Sequence, residues 1–397
     1  MNRTHPKKIL IVGAGFLQSF AIRRAAEMGL YVVAVDRDIN APGFRWCHKR
    51  EVADTKDARA CLDVARRESV DAVVSVCTDL AVRSVAFVAE RLGLPGLSAE
   101  AAALATDKWL MREALARAGV GCPDFGKAES VEQARDAASR VGLPCVIKPV
   151  DSVGSRGVTK VGAQSEVDRA FASAVSASAS GSAVVEGFVD GPEMSIEAVT
   201  SHGKTWIAAV TDKITTGPPH FVEVGHTQPS VFSWNASVRQ TVDSCVRALG
   251  IDFSATHTEL RMTPSGPVVM EVGARLGGDR ITSDLVPLSC GVDLMETVIR
   301  VALGEDPVVA PKWERGSAIR YLQVPTGVIV SIDGTETAAS VKGIVDVHFD
   351  MSVGDRVPEL RSSSDRVGHV VAEGSGAREA AEAAEKALSK IRVEVVA

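Results

Sequence analysis

The segment Thr258-Glu259-Leu-Arg-Met-Thr-Pro-Ser-Gly-Pro-Val-Val-Met-Glu271-Val-Gly273-Ala-Arg275 reads as a β-hairpin with its turn centred on Ser265. Glu259 and Glu271 each lie six residues from that centre, so they become direct cross-strand partners on one face, with Gly273 and Arg275 following on it. Two carboxylates set opposite one another repel. A divalent cation between them relieves the repulsion, and magnesium typically takes one or two protein carboxylates and fills its shell with phosphates and water. Glu259 and Glu271 are therefore the candidate metal ligands, and Arg275 could neutralise charge developing on a phosphoryl or carboxylate group. A one-residue register shift around Pro264 and Pro267 would separate the pair.

Upstream, Ile147-Lys148-Pro149 ends a strand and runs into Asp151-Ser-Val-Gly-Ser-Arg-Gly157. Glycines such as Gly157 let a backbone approach phosphate oxygens, Ser152 and Ser155 add hydroxyl donors, and Lys148 supplies a point charge. No GK[ST] follows, so this is not a Walker A sequence; a plain surface loop is the alternative. The run Val184-Val185-Glu186-Gly187-Phe188-Val189 leaves a strand through main chain that can pair with an adenine edge, and Glu193 can accept from ribose hydroxyls. His226, in the Gly-, Pro-, Thr- and His-rich stretch 215–229, and His257 are candidate substrate-pocket histidines without metal-ligand spacing. Lys213 could reach a phosphate, although an exposed lysine is the simpler expectation. Near the N-terminus Gly13-Ala14-Gly15 precedes Asp36 by the distance expected of a dinucleotide motif, but Gln18 holds the third glycine position. A tight turn without a ligand is the plainer reading there.

Positioning these groups requires alternating strands and helices. Apolar runs at 8–12, 31–35 and 72–76, with helical patterns at 16–28, 57–68 and 79–92, predict a parallel, Rossmann-like first domain. Thr106 or Asp107 can cap a helix from Lys108 to about Ala118. Ser165, with Asp168 three residues on, can cap the next. Strands are expected at 145–149, 183–189, 194–200, 256–262 and 267–273, and a helix at 235–249. From about 316 the pattern is β-rich with a helix at 377–391 and an edge-like strand at 392–396. Ala172–Ser182 is Ala/Ser-rich and expected to be a mobile helix end.

The 397 residues suit several domains, and 46% hydrophobic with 24% charged residues is ordinary globular usage. A net charge of −6 and 5% aromatics argue against nucleic acid or anionic membrane as partner. No apolar run approaches the roughly 18 residues of a membrane span. Seven scattered cysteines without a CxxC pair fit a reducing cytoplasm rather than a disulfide framework or zinc site.

Taken in order, a Rossmann-like start, Lys108 on a helix, IKP with its Gly/Ser loop, VEGFVDGPEMSIE, E…EVGARLGG, and Val353-Gly-Asp-Arg-Val357 with Asp365-Arg-Val-Gly-His369 resemble the ATP-grasp superfamily over nearly the whole chain. Within it the chain is most similar to the carboxylate–amine ligases of the L-amino-acid ligase group. The resemblance implies an α/β (α+β ATP-grasp) fold: a Rossmann-like N-terminal domain (1–105), a two-lobed ATP-grasp domain (106–310) with a lid at about 120–190, and a small β-rich α+β C-terminal domain (311–397). It implies ATP and Mg2+, with Mn2+ as a substitute, small-molecule carboxylate and amine substrates, and a homodimer. By the same resemblance Lys108 and Lys148 hold ATP phosphates, Glu186 and Val189 form the adenine hinge, and Glu193 holds the ribose. Glu259 and Glu271 hold the metal, and Arg275 steadies an acyl phosphate and, with the Gly277-Gly278 backbone, the oxyanion of the tetrahedral intermediate. Many members carry Asn where this chain has Gly273. Two other activities remain open: a bicarbonate-activating carboxylase or carbamoyl-phosphate-type enzyme, and, from another class, an NAD(P)-dependent oxidoreductase using Gly13 and Gly15. A non-catalytic ATP-binding sensor is a further possibility.

Overall fold

The computed structural model describes residues 6–396; the outermost ends of the first and last expected domains lie outside these residues. Strands β1 (Lys8–Val12), β2 (Tyr31–Asp36), β3 (Lys49–Val52) and β4 (Ala72–Val74) form a parallel sheet in the order β3-β2-β1-β4. Ile9, Leu10, Ile11 and Val12 are fully buried because helices cover both faces, as parallel sheets require. Strand β3 has no hydrophobic signature (Lys-Arg-Glu-Val) and was not legible as a strand. The strand expected over 72–76 stops at Val74, and the following helix spans Val82–Leu92 rather than starting at Asp79. That leaves residues 75–81 as a connecting segment, with Asp79 outside any helix.

A second sheet joins β5 (Phe125–Ala128), β6 (Cys145–Pro149), β7 (Thr159–Val161) and β8 (Ala183–Gly187) in the antiparallel order β5-β8-β6-β7. Its alanine-rich helices Val131–Val141 and Val167–Ser176 cover one face. Ser165 does not cap the second helix. A short 3-10 turn over Gln164–Glu166 precedes it, and the Glu166 carboxylate accepts from the Gly162 and Ala163 amides. Asp168 instead pairs with Arg135.

The largest sheet has eight strands. They are β9 (Glu193–Ser201), β10 (Lys204–Thr215), β11 (Glu223–Gln228), β12 (Ser254–Thr263), β13 (Gly266–Gly273), β14 (Gly316–Tyr321), β16 (Ile344–Phe349) and β18 (Gly368–Gly374). Their order is β13-β12-β9-β10-β11-β14-β18-β16, so hydrogen bonding runs without a break from residue 193 to residues near the C-terminus. Strand β14 pairs with β11 through Gly225↔Arg320 to Gln228↔Ser317. The remaining strands, β15 (Gly327–Asp333), β17 (Arg356–Val357) and β19 (Arg392–Val396), form a small sheet in which β19 is an edge, as its alternation suggested. No helix among the described residues is long and apolar enough to cross a membrane. The seven cysteines are all free thiols.

Candidate active site

The four-stranded antiparallel sheet and the eight-stranded sheet face each other across a cleft of about 1060 Å3, counting the part open to solvent. The hairpin β12–β13 supplies one wall. Its turn is the two-residue Pro264-Ser265, closed by Thr263↔Gly266, which alone would set Glu259 opposite Met270. An irregularity between Glu259 and Leu260 absorbs Met270 on the partner strand and restores Glu259↔Glu271. The two carboxylates do face one another, but the repulsion is met by lysines. Glu271 Oε1 is 3.0 Å from Lys108 Nζ, and Glu259 Oε1 is 2.9 Å from Lys213 Nζ.

Lys108 begins the helix Lys108–Arg117, capped by Asp107, whose carboxylate accepts from the Trp109 and Leu110 amides. A cation at a helix N-terminus is unfavourable. Burial adds to that cost, but Glu271, Asp79 and Glu259 outweigh it and hold the Lys108 ammonium above its usual range. Lys213 is not an exposed loop lysine. It lies on β10, its side chain is 3% exposed and reaches Glu193 at 3.0 Å, Glu223 at 3.4 Å and Glu259, which together overcome burial and keep it firmly charged. Burial likewise works against the Glu259 carboxylate, but Lys213 and His257 hold it well below the usual range.

Lys148, at the end of β6, sits 2.9 Å from Glu186 Oε2, and Arg112 Nε donates to Glu186 Oε1 at 2.7 Å. Burial would raise Glu186, but Arg112 and Lys148 together bring it down to about 2. Burial pushes Lys148 down, and Arg112 and Lys108 add to that, beyond what Glu186 and Glu271 restore. The Glu186 side chain is thus engaged and its main chain lies in the ladder between Phe125 and Val146, so a hinge falls to the residues that follow it. Of that hinge the Phe188 N–H is donated to the Pro144 carbonyl at 3.0 Å, and the Val189 carbonyl accepts from Arg261 at 2.6 Å. Arg261 also binds Glu193 through two nitrogens and lies beside the Phe188 and Phe221 rings.

In the loop after β6, Gly154 (φ +68°) and Ser155 (φ +58°) are left-handed, so a side chain at 154 would be strained although nothing lies within 4 Å of its Cβ. Ser152 Oγ is buried and has no partner among the described residues, and its residue lines the cleft together with Lys108 and Lys148. Gly157 is needed for a different reason: a Cβ there would lie 2.8 Å from Ala177 Cβ and 3.2 Å from the Ser173 carbonyl. It packs the loop against the helix and does not line the cleft.

Three further expectations are corrected. His226 is not on a loop; it is buried in β11 with Nε2 3.4 Å from Asp279, away from the cleft wall. The Gly277 amide is already donated to Glu197 Oε2 at 2.9 Å, so it is unavailable to an oxyanion. Gly278 does not line the cleft, and a Cβ there would stand 3.7 Å from Leu17 Cδ1 of the first domain. Arg275 does line the cleft, but both arms of its guanidinium grip Asp79 (Nε to Oδ1 3.1 Å, Nη2 to Oδ2 2.9 Å). His257 also lines it. Burial would lower the imidazole, yet Glu197, 2.5 Å from Nδ1, and Glu259 raise it to about 9. Arg112, Asp79, Glu197 and Arg261 were missed in the sequence, since each acts through a partner more than 60 residues away or, for Glu197, 60 away. No local spacing carries such a signal.

No group of three or more His, Cys, Asp or Glu among the described residues could hold a metal alone. The protein offers two opposed carboxylates beside lysines, and that donor set fits a hard cation which takes most of its ligands from phosphates and water. At the opposite end of the chain the Gly13–Gly15 turn is filled. Gln18 packs its Cγ 3.2 Å from where a Gly13 Cβ would stand, donates to the Val76 carbonyl, and Asp36 accepts from the Ala14 amide. The Gly13 and Ala14 amides, one Asp36 oxygen and the hollow beside Gly13 are thus engaged within the fold, which counts against the oxidoreductase reading.

Residues 141–284 match the ATP-grasp domain family, and residues 320–396 match the L-amino acid ligase C-terminal domain 2. The chain is 31% identical over 296 residues to uncharacterized protein y4rH of Sinorhizobium fredii, spanning 73% of this chain and 61% of that one. It is 32% identical over 167 residues to a formate-dependent phosphoribosylglycinamide formyltransferase of Methanocaldococcus jannaschii, 41% of this chain and 42% of the other. The chain therefore spans about six-tenths or less of the length of these curated relatives. The crystal structure of an L-amino acid ligase from Bacillus licheniformis superposes with a TM-score of 0.84 at 24% identity, covering 99% of this chain and 100% of that one. The hairpin and all of the cleft lining except Asp79 and Lys108 fall within or beside the match at 141–284, so these residues form an ATP-grasp domain, followed at 320–396 by a region similar to the L-amino acid ligase C-terminal domain 2.

Proposed function

We propose that the protein is an ATP-dependent ligase that joins a carboxylate to an amine through an acyl phosphate, releasing ADP and phosphate, with amino-acid-like substrates. The observation that carries this is the single cleft in which Lys148, Lys108 and the unpartnered Ser152 hydroxyl stand beside the opposed Glu259–Glu271 pair and Arg275. The match of residues 320–396 to an L-amino acid ligase domain supports the amino-acid class.

Lys148 and Lys108 would bind the triphosphate, the main chain of 187–189 the adenine edge, and Glu193 the ribose. A magnesium ion, or manganese on the same oxygens, would be held by Glu259 and Glu271 and would offset the phosphate charge. Phosphoryl transfer is mostly a matter of alignment and charge, and both lysines are kept in place by carboxylates that the polyanion can share. The loop 151–157 closes over the cleft and keeps water from the acyl phosphate. Arg275 offers the acyl phosphate two donors once released from Asp79.

The test is phosphate release from Mg-ATP across a matrix of amino-acid pairs, with mass spectrometry of each mixture. Release that needs two amino acids, with a product one water lighter than their sum, supports the ligase and names its substrates. Release with bicarbonate alone transfers the site to a carboxylase. Glu271→Ala should abolish Mg-dependent turnover, and wild-type turnover in that variant removes it from the metal site.

A further inference from the structure

We propose that Asp79, which the first domain inserts into the cleft, is the residue that receives the ammonium group of the incoming amine. The proposal rests on the ligase reading and adds to it a group on the amine side of the reaction.

Asp79 lies in the segment between β4 and the helix Val82–Leu92, and that segment is pinned to the large sheet's domain. The Cys77 thiol donates to the Gly277 carbonyl at 3.1 Å, and Cys77 itself is left-handed (φ +57°). Asp79 thereby reaches across nearly 200 positions of sequence to Arg275 and lines the cleft with it. Room for it is made at Gly273. A Cβ at that position would stand 3.1 Å from Arg275 Cζ and 3.2 Å from Asp79 Oδ1, so the absent side chain is the space that the ion pair fills.

Position along the hairpin assigns the chemistry. The carboxylates Glu259 and Glu271 are matched by Lys213 and Lys108. Past Glu271 the strand ends at Gly273, and Arg275 stands in the bend two residues further on. The Asp79–Arg275 pair is therefore the next charge pair beyond the phosphate and metal groups, where a carboxyl activated on the terminal phosphate would meet its amine. A carboxylate bonded to a guanidinium is the complement of a substrate pair that brings one cation and one anion. Arg275 exchanges Asp79 for the acyl phosphate, and Asp79 exchanges Arg275 for the ammonium, so neither buried charge is left unpaired. The ammonium first gives one proton to solvent; the amine nitrogen then bonds the acyl carbon, the carbon–oxygen bond to phosphate breaks with its electron pair leaving on phosphate, and the nitrogen's second proton passes to that phosphate. Asp79 orients the amine for that step.

The experiment compares a charged with an uncharged nucleophile. Wild type, Asp79→Asn and Gly273→Ala are given Mg-ATP and an equimolar mix of the twenty proteinogenic L-amino acids, with and without hydroxylamine, which is largely neutral at pH 7.5. Amide products are read by mass and trapped acyl phosphate as hydroxamate. The expected result is an amide-to-hydroxamate ratio about tenfold or more lower in Asp79→Asn, through a raised KM for the amine, with a smaller fall in Gly273→Ala. A ratio equal to wild type in Asp79→Asn overturns the proposal, whether both products fall together, as for a structural residue, or neither does. Recovery of the amide by raised Mg2+ overturns it too, because Asp79 would then serve the metal. The nucleotide-induced rise in Tm shows that each variant is folded. Absence of hydroxamate from wild type overturns the ligase reading and this proposal with it, which separates the two failures.

Discussion

Two glycine-bearing turns follow buried strands in this molecule, and they have opposite fates. After β1, Gly13 and Gly15 make a turn whose hollow is taken by Gln18, while Asp36 closes it from the side. After β6, the turn at 151–157 has left-handed Gly154 with no atom near its missing side chain, and the Ser152 hydroxyl stays unpartnered among the described residues while its carbonyl accepts from Lys108 at 2.8 Å. Glycine permits close approach of a ligand but does not invite one. What decides the matter is whether the polar groups around the glycines are already paired within the fold and whether a cation stands beneath.

The largest effect that could break this contrast is at the cation. Lys148→Ala should lower phosphate release from Mg-ATP by about 100-fold or more, since one fixed charge is removed from the phosphate path. Turnover near wild type would place the phosphates elsewhere. Next is the carboxylate that holds Lys148. Glu186 is lowered from its ordinary value to about 2, so its contribution is full above the unfolded carboxylate pKa near 4.5 and is lost as pH falls through about 2. Urea midpoints between pH 5 and 2 should fall more steeply for wild type than for Glu186→Gln, by up to about 3 kcal/mol; parallel slopes would refute the pairing. At the filled turn, Gln18→Ala empties the hollow and orphans the Val76 carbonyl, at about 1–3 kcal/mol in thermal or urea unfolding. NAD(P)H fluorescence should stay unchanged with wild type and variant alike, and any saturable binding would show that Gln18 excludes rather than replaces a ligand. The smallest effect is Gly154→Ala, at about 1 kcal/mol from the left-handed backbone alone.

Legibility in the sequence followed the range of the interaction. Glu259 and Glu271 could be paired because a hairpin is local, and the pairing came through even though the true turn is half a residue off the one read. Two departures, the turn and the absorbed Met270, cancelled. Lys148, Ser152 and Glu193 were legible as residue types at strand ends. Lys213 was misjudged because its three carboxylates come from β9, β11 and β12, which only the assembled sheet brings together. His226 was misjudged for a related reason: Gly and Pro around it signalled a loop, while pairing of β11 with both β10 and β14 made a buried strand. Asp79 was hidden by a helical pattern that continued through a segment held open by contacts to the far domain.

The unbroken eight-stranded sheet bears on how such a chain can be reshaped. Because β14 continues the ladder of β11, residues 316–374 are not an appendage that can be exchanged at a linker. A chimera that imports another relative's C-terminal portion has to reproduce the Gly225↔Arg320 register, including the clearance at Gly225, where a Cβ would meet Arg320 Cδ at 2.9 Å. Diversification by shuffling is thereby confined to partners with a matching seam, and new specificities are more readily reached by point changes within the cleft.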